Sequence, residues 1–102
     1  MNFNQLIQQA QKIQRKVNKV KKEYEQKTFD FSSQQNLITG KMNGKLEIVE
    51  LNIDDQLLSA ENKEMLVDLL TVSLNDIINK VNEDKENTLN QITNGVDVSA
   101  FL

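Results

Sequence analysis

The chain of 102 residues contains no cysteine, histidine, tryptophan or proline, and only three glycines. Without cysteine there is no disulfide, no thiolate metal ligand and no thiol redox chemistry, and without histidine the commonest general base and metal ligand near neutral pH is missing. No glycine-rich phosphate loop is present either, so the residues do not point to an enzyme, and neither a cofactor nor a metal is expected. The acidic pair Asp54-Asp55 lacks the spacing of a calcium loop, and Glu83-Asp84-Glu86 reads as the solvated side of a helix. No stretch approaches the ~20 apolar residues of a membrane span, and no charged leader precedes an apolar run. Both absences argue for a cytoplasmic protein without membrane contact. The absence of proline leaves long helices uninterrupted, while a 38% apolar content builds a modest core that a second subunit would supplement.

What the chain does have is charge distributed unevenly along its length. The net charge is −3, yet the first 27 positions hold seven of the twelve basic residues and two of the fifteen acidic ones. That segment carries +5 and the remainder −8. From about Asn2 to Glu25 the apolar residues Leu6, Ala10, Ile13, Val17, Val20 and Tyr24 step by 4, 3, 4, 3 and 4, a 3.5-residue repeat that favours a partner helix alongside. Lys12, Arg15, Lys16, Lys19 and Lys22 span about 120° of the helical wheel, centred about 140° from that stripe. The helix therefore has a packing side and a cationic side. A long polyanion laid along the second would release a counterion for each phosphate contacted, which makes double-stranded DNA the expected partner and these five residues the candidate DNA-binding set.

Three short β-rich runs follow: Lys27 to Ser32, Leu37 to Met42 and Lys45 to Ile53. Asn43-Gly44 between the last two predicts a two-residue type I′ hairpin turn. That turn would set Ile38 opposite Val49, Thr39 opposite Ile48 and Lys41 opposite Leu46. One sheet face then collects Ile38, Met42, Val49, Leu51 and Ile53, and the other Leu37, Leu46 and Ile48, provided no bulge interrupts the strand near Ile48 and Val49. Two helices cannot cover both faces, so Leu37, Leu46 and Ile48 are the candidate dimer interface. Asp54 to Ser59 reads as a loop, with Ser59 an N-cap for a helix over 60–93 that ends at the Asn94-Gly95 C-cap pair. Its stripe of Leu66, Leu69, Leu70, Ser73, Leu74, Ile77 and Val81 is dense, whereas only Leu89 and Ile92 follow, leaving the far half little to pack against. A tail over 96–102 completes a single domain: basic helix 1–26, sheet 27–53, long helix 60–93. Helices of these lengths span ~36 and ~50 Å and must overhang a three-stranded sheet.

The opening Phe3-Asn4-Gln5-Leu6-Ile7-Gln8-Gln9-Ala10-Gln11-Lys12-Ile13-Gln14 resembles the N-terminal helix of the YbaB/EbfC family of bacterial nucleoid-associated proteins. The Asn43-Gly44 turn, the run Leu51-Asn52-Ile53-Asp54-Asp55-Gln56-Leu57-Leu58, and Asn62-Lys63-Glu64-Met65-Leu66-Val67-Asp68-Leu69 followed by Asn75-Asp76 are similar to its later segments, in the same order. Leu74, Ile77 and Ile78 stand where relatives often carry alanines, and the family's Gly- and Pro-rich ends are lacking. The resemblance implies an α+β fold of helix, three antiparallel strands and helix (α-β-β-β-α). It further implies a homodimer formed through the sheets, with projecting arms that bind duplex DNA with little base-specific readout, organising the nucleoid and modulating gene expression. The competing reading is a coiled-coil-like interaction module, an adaptor for a DNA-processing factor, with the basic stripe serving acidic partners. A solvated helix face is the plainest reading of the five cations, and Lys80 and Lys85 among their acidic neighbours read as surface. No aromatic interleaves the stripe, so single-strand stacking is not expected.

Overall fold

The first helix needs no packing to begin. In the computed structural model, which describes residues 2–93, Asn2 accepts the Gln5 backbone N–H at 2.8 Å while the Gln5 side chain accepts the Asn2 N–H at 3.3 Å, closing a capping box. Helix α1 (Phe3–Gln26) runs from there for 24 residues and stops where Lys27 turns extended and donates its N–H to the Tyr24 carbonyl. Strands β1 (Thr28–Ser32), β2 (Ile38–Asn43) and β3 (Ile48–Ile53) follow, then short 3₁₀ turns over Asp55–Leu57 and Ala60–Asn62, then helix α2 (Lys63–Thr93). The strands form one antiparallel sheet in the order β1-β2-β3. The architecture is the expected α-β-β-β-α, with helix α2 lying over β1 and β2.

The β2–β3 hairpin departs from the expected register. Asn43 and Gly44 begin the turn, but the loop is longer: Asn43 and Glu47 pair through the Asn43 N–H and Glu47 carbonyl, Leu46 donates to the Asn43 carbonyl, and the Asn43 side chain accepts both the Lys45 and Glu47 amides. The residue with positive φ is Leu46, at 64°, so the turn is not type I′. Gly44 serves close approach instead, because a Cβ there would fall 2.5 Å from Tyr24 Cδ1 and still nearer the Tyr24 carbonyl. Lengthening the loop slides the pairing so that Ile38 faces Ile53, Thr39 faces Asn52 and Lys41 faces Glu50.

A bulge between Lys41 and Met42 then sets Ile48 opposite Met42. This overturns the expected second apolar face. Ile48 joins Met42, Leu51 and Ile53 on the helix side, Leu37 is half-buried against the main core, and the outer face carries Thr28, Asp30 and Ser32, then Thr39 and Lys41, then Glu50 and Asn52. That face is polar. In the hairpin the apolar residues left open are Leu46, Ile48, Val49 and Leu51, at 40%, 43%, 53% and 42% exposure; Leu58, Met65, Val67 and Val72 are open elsewhere.

Two cores hold the chain. The main one joins Tyr24, Phe31, Ile38, Met42, Leu57, Ile77 and Val81, flanked by partly buried Leu66, Leu69, Leu70 and Leu74. The second lies between the helices alone, where Val17 and Leu89 are fully buried with Ile13, Val20 and Ile92 around them. The far half of α2 thus packs on the 3.5-residue seam of α1, the partner helix that the repeat favours, despite the sparse stripe beyond Val81. Ser59 heads the Ala60–Asn62 turn without a side-chain bond, and α2 starts at Lys63 rather than at 60. Asn94-Gly95 and the tail over 96–102 lie outside the described residues. The overhanging helices give a rod of 69 × 19 × 17 Å.

Candidate nucleic-acid interface

The direction of the basic stripe follows from the buried side of α1. Val17 has no exposed surface and Tyr24 only 5%, so the helix cannot rotate without opening both cores. Lys12, Arg15, Lys16, Lys19 and Lys22, on the opposite side, are all exposed. They occupy three turns, about 15 Å of helix axis. Among the described residues the ion pairs are Lys27–Asp84 and Lys45–Glu47, and none of the five stripe cations belongs to either. Five exposed cations outside those ion pairs thus share one ridge, an arrangement suited to phosphate contacts.

The other basic residues are placed differently. Lys21 is half-buried at the flank of α1, and Lys85 is half-buried on α2. Lys80 is exposed on α2 four residues from Asp76, and both line an open cleft of about 590 Å³ beside β1 and β2. Lys27 is engaged in a knot that joins the two helices. Its ammonium lies 3.3 Å from Asp84 Oδ2, 5.0 Å from the Phe29 ring centroid and 5.5 Å from that of Tyr24. The Tyr24 hydroxyl lies 2.7 Å from the same carboxylate oxygen and 3.0 Å from the Val81 carbonyl. Burial, and then the hydrogen bond to Asp84, push the Tyr24 phenol well above its ordinary range. The Tyr24 hydrogen bond, helped by Lys27 and by the charge of Lys80, holds the Asp84 carboxyl below its ordinary value despite partial desolvation.

This knot fixes the end of α1 on α2 and with it the azimuth of the stripe. The position of Tyr24 on the packing side was readable from the heptad steps, but its hydroxyl partner was not. The signal was available in general form, since a tyrosine placed in a core seam needs a polar partner for its hydroxyl. Asp54, from the acidic pair, accepts the Gln56 N–H and heads the turn that buries Leu57.

Residues 1–96 match the model of the YbaB/EbfC DNA-binding family. The chain belongs to that family. A nucleoid-associated protein of Clostridium novyi is 36% identical over 102 residues, covering 100% of this chain and 90% of that protein. A nucleoid-associated protein of Rickettsia canadensis is 35% identical over 98 residues, covering 96% and 92%. The crystal structure of an uncharacterized Helicobacter pylori protein superposes with a TM-score of 0.80 at 27% identity, covering 91% of this chain and 98% of that one. The YbaB/EbfC fold thus accounts for the order of elements, and the family is a DNA-binding one. Among the described residues, no helix of this member is long and apolar enough to cross a membrane.

Proposed function

We propose that this YbaB/EbfC chain is a nucleoid-associated protein that holds double-stranded DNA through Lys12, Arg15, Lys16, Lys19 and Lys22. The observation that carries this reading is the exposure of all five on one ridge of a helix whose other side is locked into two cores. Ammonium and guanidinium groups set on phosphates supply affinity and position without reading sequence, so the stripe binds different duplexes alike. Such binding suits a protein that coats and organises the nucleoid and modulates gene expression by occupancy.

The protein acts as a homodimer in this reading. Leu46 and Ile48 remain interface candidates, now as part of the open β3 side together with Val49 and Leu51, because an exposed edge strand bearing three apolar side chains, with Leu46 in the adjoining loop, is a template for a second copy. Leu37 drops to the margin, since it is engaged with the main core. The test is a titration of unrelated duplexes over a range of salt, with the mass measured in parallel by light scattering. One fully engaged stripe gives a slope of log K against log[salt] of about −4.5, and a dimer weighs twice the 11.7 kDa chain. A flat salt response or absence of duplex binding overturns the DNA reading, and a monomeric mass overturns the dimer.

A further inference from the structure

The last turns of α1, beyond its cationic shaft, carry a different chemistry from the shaft. Every residue from Asn2 to Lys12 is exposed, so among the described residues nothing covers α1 over about 15 Å, and it is held in shape by its own capping box. Lys12 is the only charged residue in this segment. The phosphate chemistry of the shaft therefore ends at Lys12, and the same ridge continues as side-chain amides.

Those amides are not equivalent. Gln5 is occupied by the capping box and Gln14 by a 2.9 Å hydrogen bond to Asn18. Gln8 and Gln11 hold no hydrogen bond among the described residues. Gln8 stands four residues before Lys12 and Gln11 four before Arg15, which puts both in line with the cationic ridge. Ile7, 38% exposed, stands four residues before Gln11 and so borders the amides on one side, while Phe3 and Leu6, 75% and 52% exposed, lie further round the helix.

We infer that the tip of α1 enters the major groove of the duplex held by the shaft and reads A·T pairs there, with Gln8 and Gln11 as the reading residues. The inference rests on the duplex-binding reading above and adds to it a preference that the lysines cannot supply. An α-helix of about 10–12 Å diameter fits a groove about 12 Å wide. A glutamine amide pairs bidentately with adenine N6 and N7, and an apolar side chain beside it, here Ile7, suits the thymine methyl of the same pair. An uncharged tip is suited to base edges, where a further lysine would be drawn to the phosphates instead.

The experiment compares an A·T-rich duplex with the same duplex carrying 7-deazaadenine, which removes the N7 acceptor from the major groove and leaves base pairing intact. The probes are the parent protein and the Gln8→Ala/Gln11→Ala variant, whose changes are exposed and favour helix. The parent is expected to bind the substituted duplex about fivefold or more weakly, from the ~1 kcal/mol lower bound for a bidentate contact. The variant should bind both duplexes alike, with the salt slope of the parent. Equal binding of both duplexes by a parent that keeps its steep salt slope overturns the inference and leaves the phosphate reading standing, as does a variant that still discriminates. A parent that binds neither duplex overturns both readings.

Discussion

Replacing Gly44 with alanine tests how the sheet is joined to the arm. The glycine sits under the end of α1, its N–H donated to the Lys27 carbonyl at 3.1 Å, and its φ is not positive, so alanine introduces no backbone strain. It introduces a methyl group 2.5 Å from Tyr24 Cδ1 and closer still to the Tyr24 carbonyl oxygen. Rotating the ring would relieve the first contact, but the second involves backbone at a helix end that the Tyr24 hydroxyl also ties to α2. The hairpin must move away from the helix or the helix from the hairpin, an overpacking cost of about 1–3 kcal/mol. For a domain of this size that lowers Tm by about 5–20 °C. The chain has one tyrosine and no tryptophan, so near-ultraviolet circular dichroism and intrinsic fluorescence at tyrosine wavelengths report this junction, and both should change in the native state before melting begins. Lys45→Ala, one residue on and exposed, is the control and should stay within about 0.5 kcal/mol of the parent. A Gly44→Ala protein with parental Tm and an unaltered tyrosine signal would refute the close-approach argument.

Three further variants probe the assembly piece by piece. Tyr24→Phe removes the hydroxyl from the Asp84–Lys27 knot and should cost about 1–2 kcal/mol at neutral pH. Asp84 has a lowered pKa in the folded chain, so its stabilisation is present above the ordinary carboxylate range and lost as pH falls through the lowered value; the gap between parent and variant should narrow there in pH-dependent denaturation. Leu89→Ala opens the small core between the helices and should cost about 2–4 kcal/mol, read by urea denaturation; a parental midpoint would mean that Val17 and Leu89 do not pack. Leu46→Asp with Ile48→Asp puts charge on the open β3 side and should yield monomers by light scattering, whereas an unchanged dimer mass would exclude that surface.

The long helices were legible because their signals are local. The 4,3,4,3,4 steps of α1 identify the side that Val17 and Tyr24 bury, and the cations fall opposite it by geometry alone. The Asn43-Gly44 pair located the turn correctly but misreported its type, because loop length there depends on the Asn43 side chain gathering two amides and on Gly44 meeting the distant Tyr24. A strand has a period of two, so one bulged residue transfers every side chain beyond it to the other face. The bulge beside Met42 therefore moved Ile48 to the helix side and turned an expected apolar face into a polar one. Leu57 was hidden in a polar stretch, and its burial required the Asp54 cap. In the candidate interface the five cations were readable as a ridge, while the Tyr24–Asp84–Lys27 knot that sets its azimuth joins residues 57 and 60 positions apart, a separation at which sequence spacing carries no signal.

The central claim is that the exposed ridge of α1 holds the duplex, and the salt dependence of a Lys12→Gln/Lys16→Gln/Lys19→Gln protein tests it most directly. All three side chains are exposed and glutamine keeps helix propensity, so fold and mass should be unchanged. Each lost phosphate contact should reduce the magnitude of the log–log salt slope by about 0.9, giving a change of about 2.7 for one stripe and about 5 where both stripes of a dimer engage. Affinity should fall by a similar factor for duplexes of different sequence. A variant that binds as tightly as the parent at low salt, with the parental slope, would show that the ridge is only solvated surface.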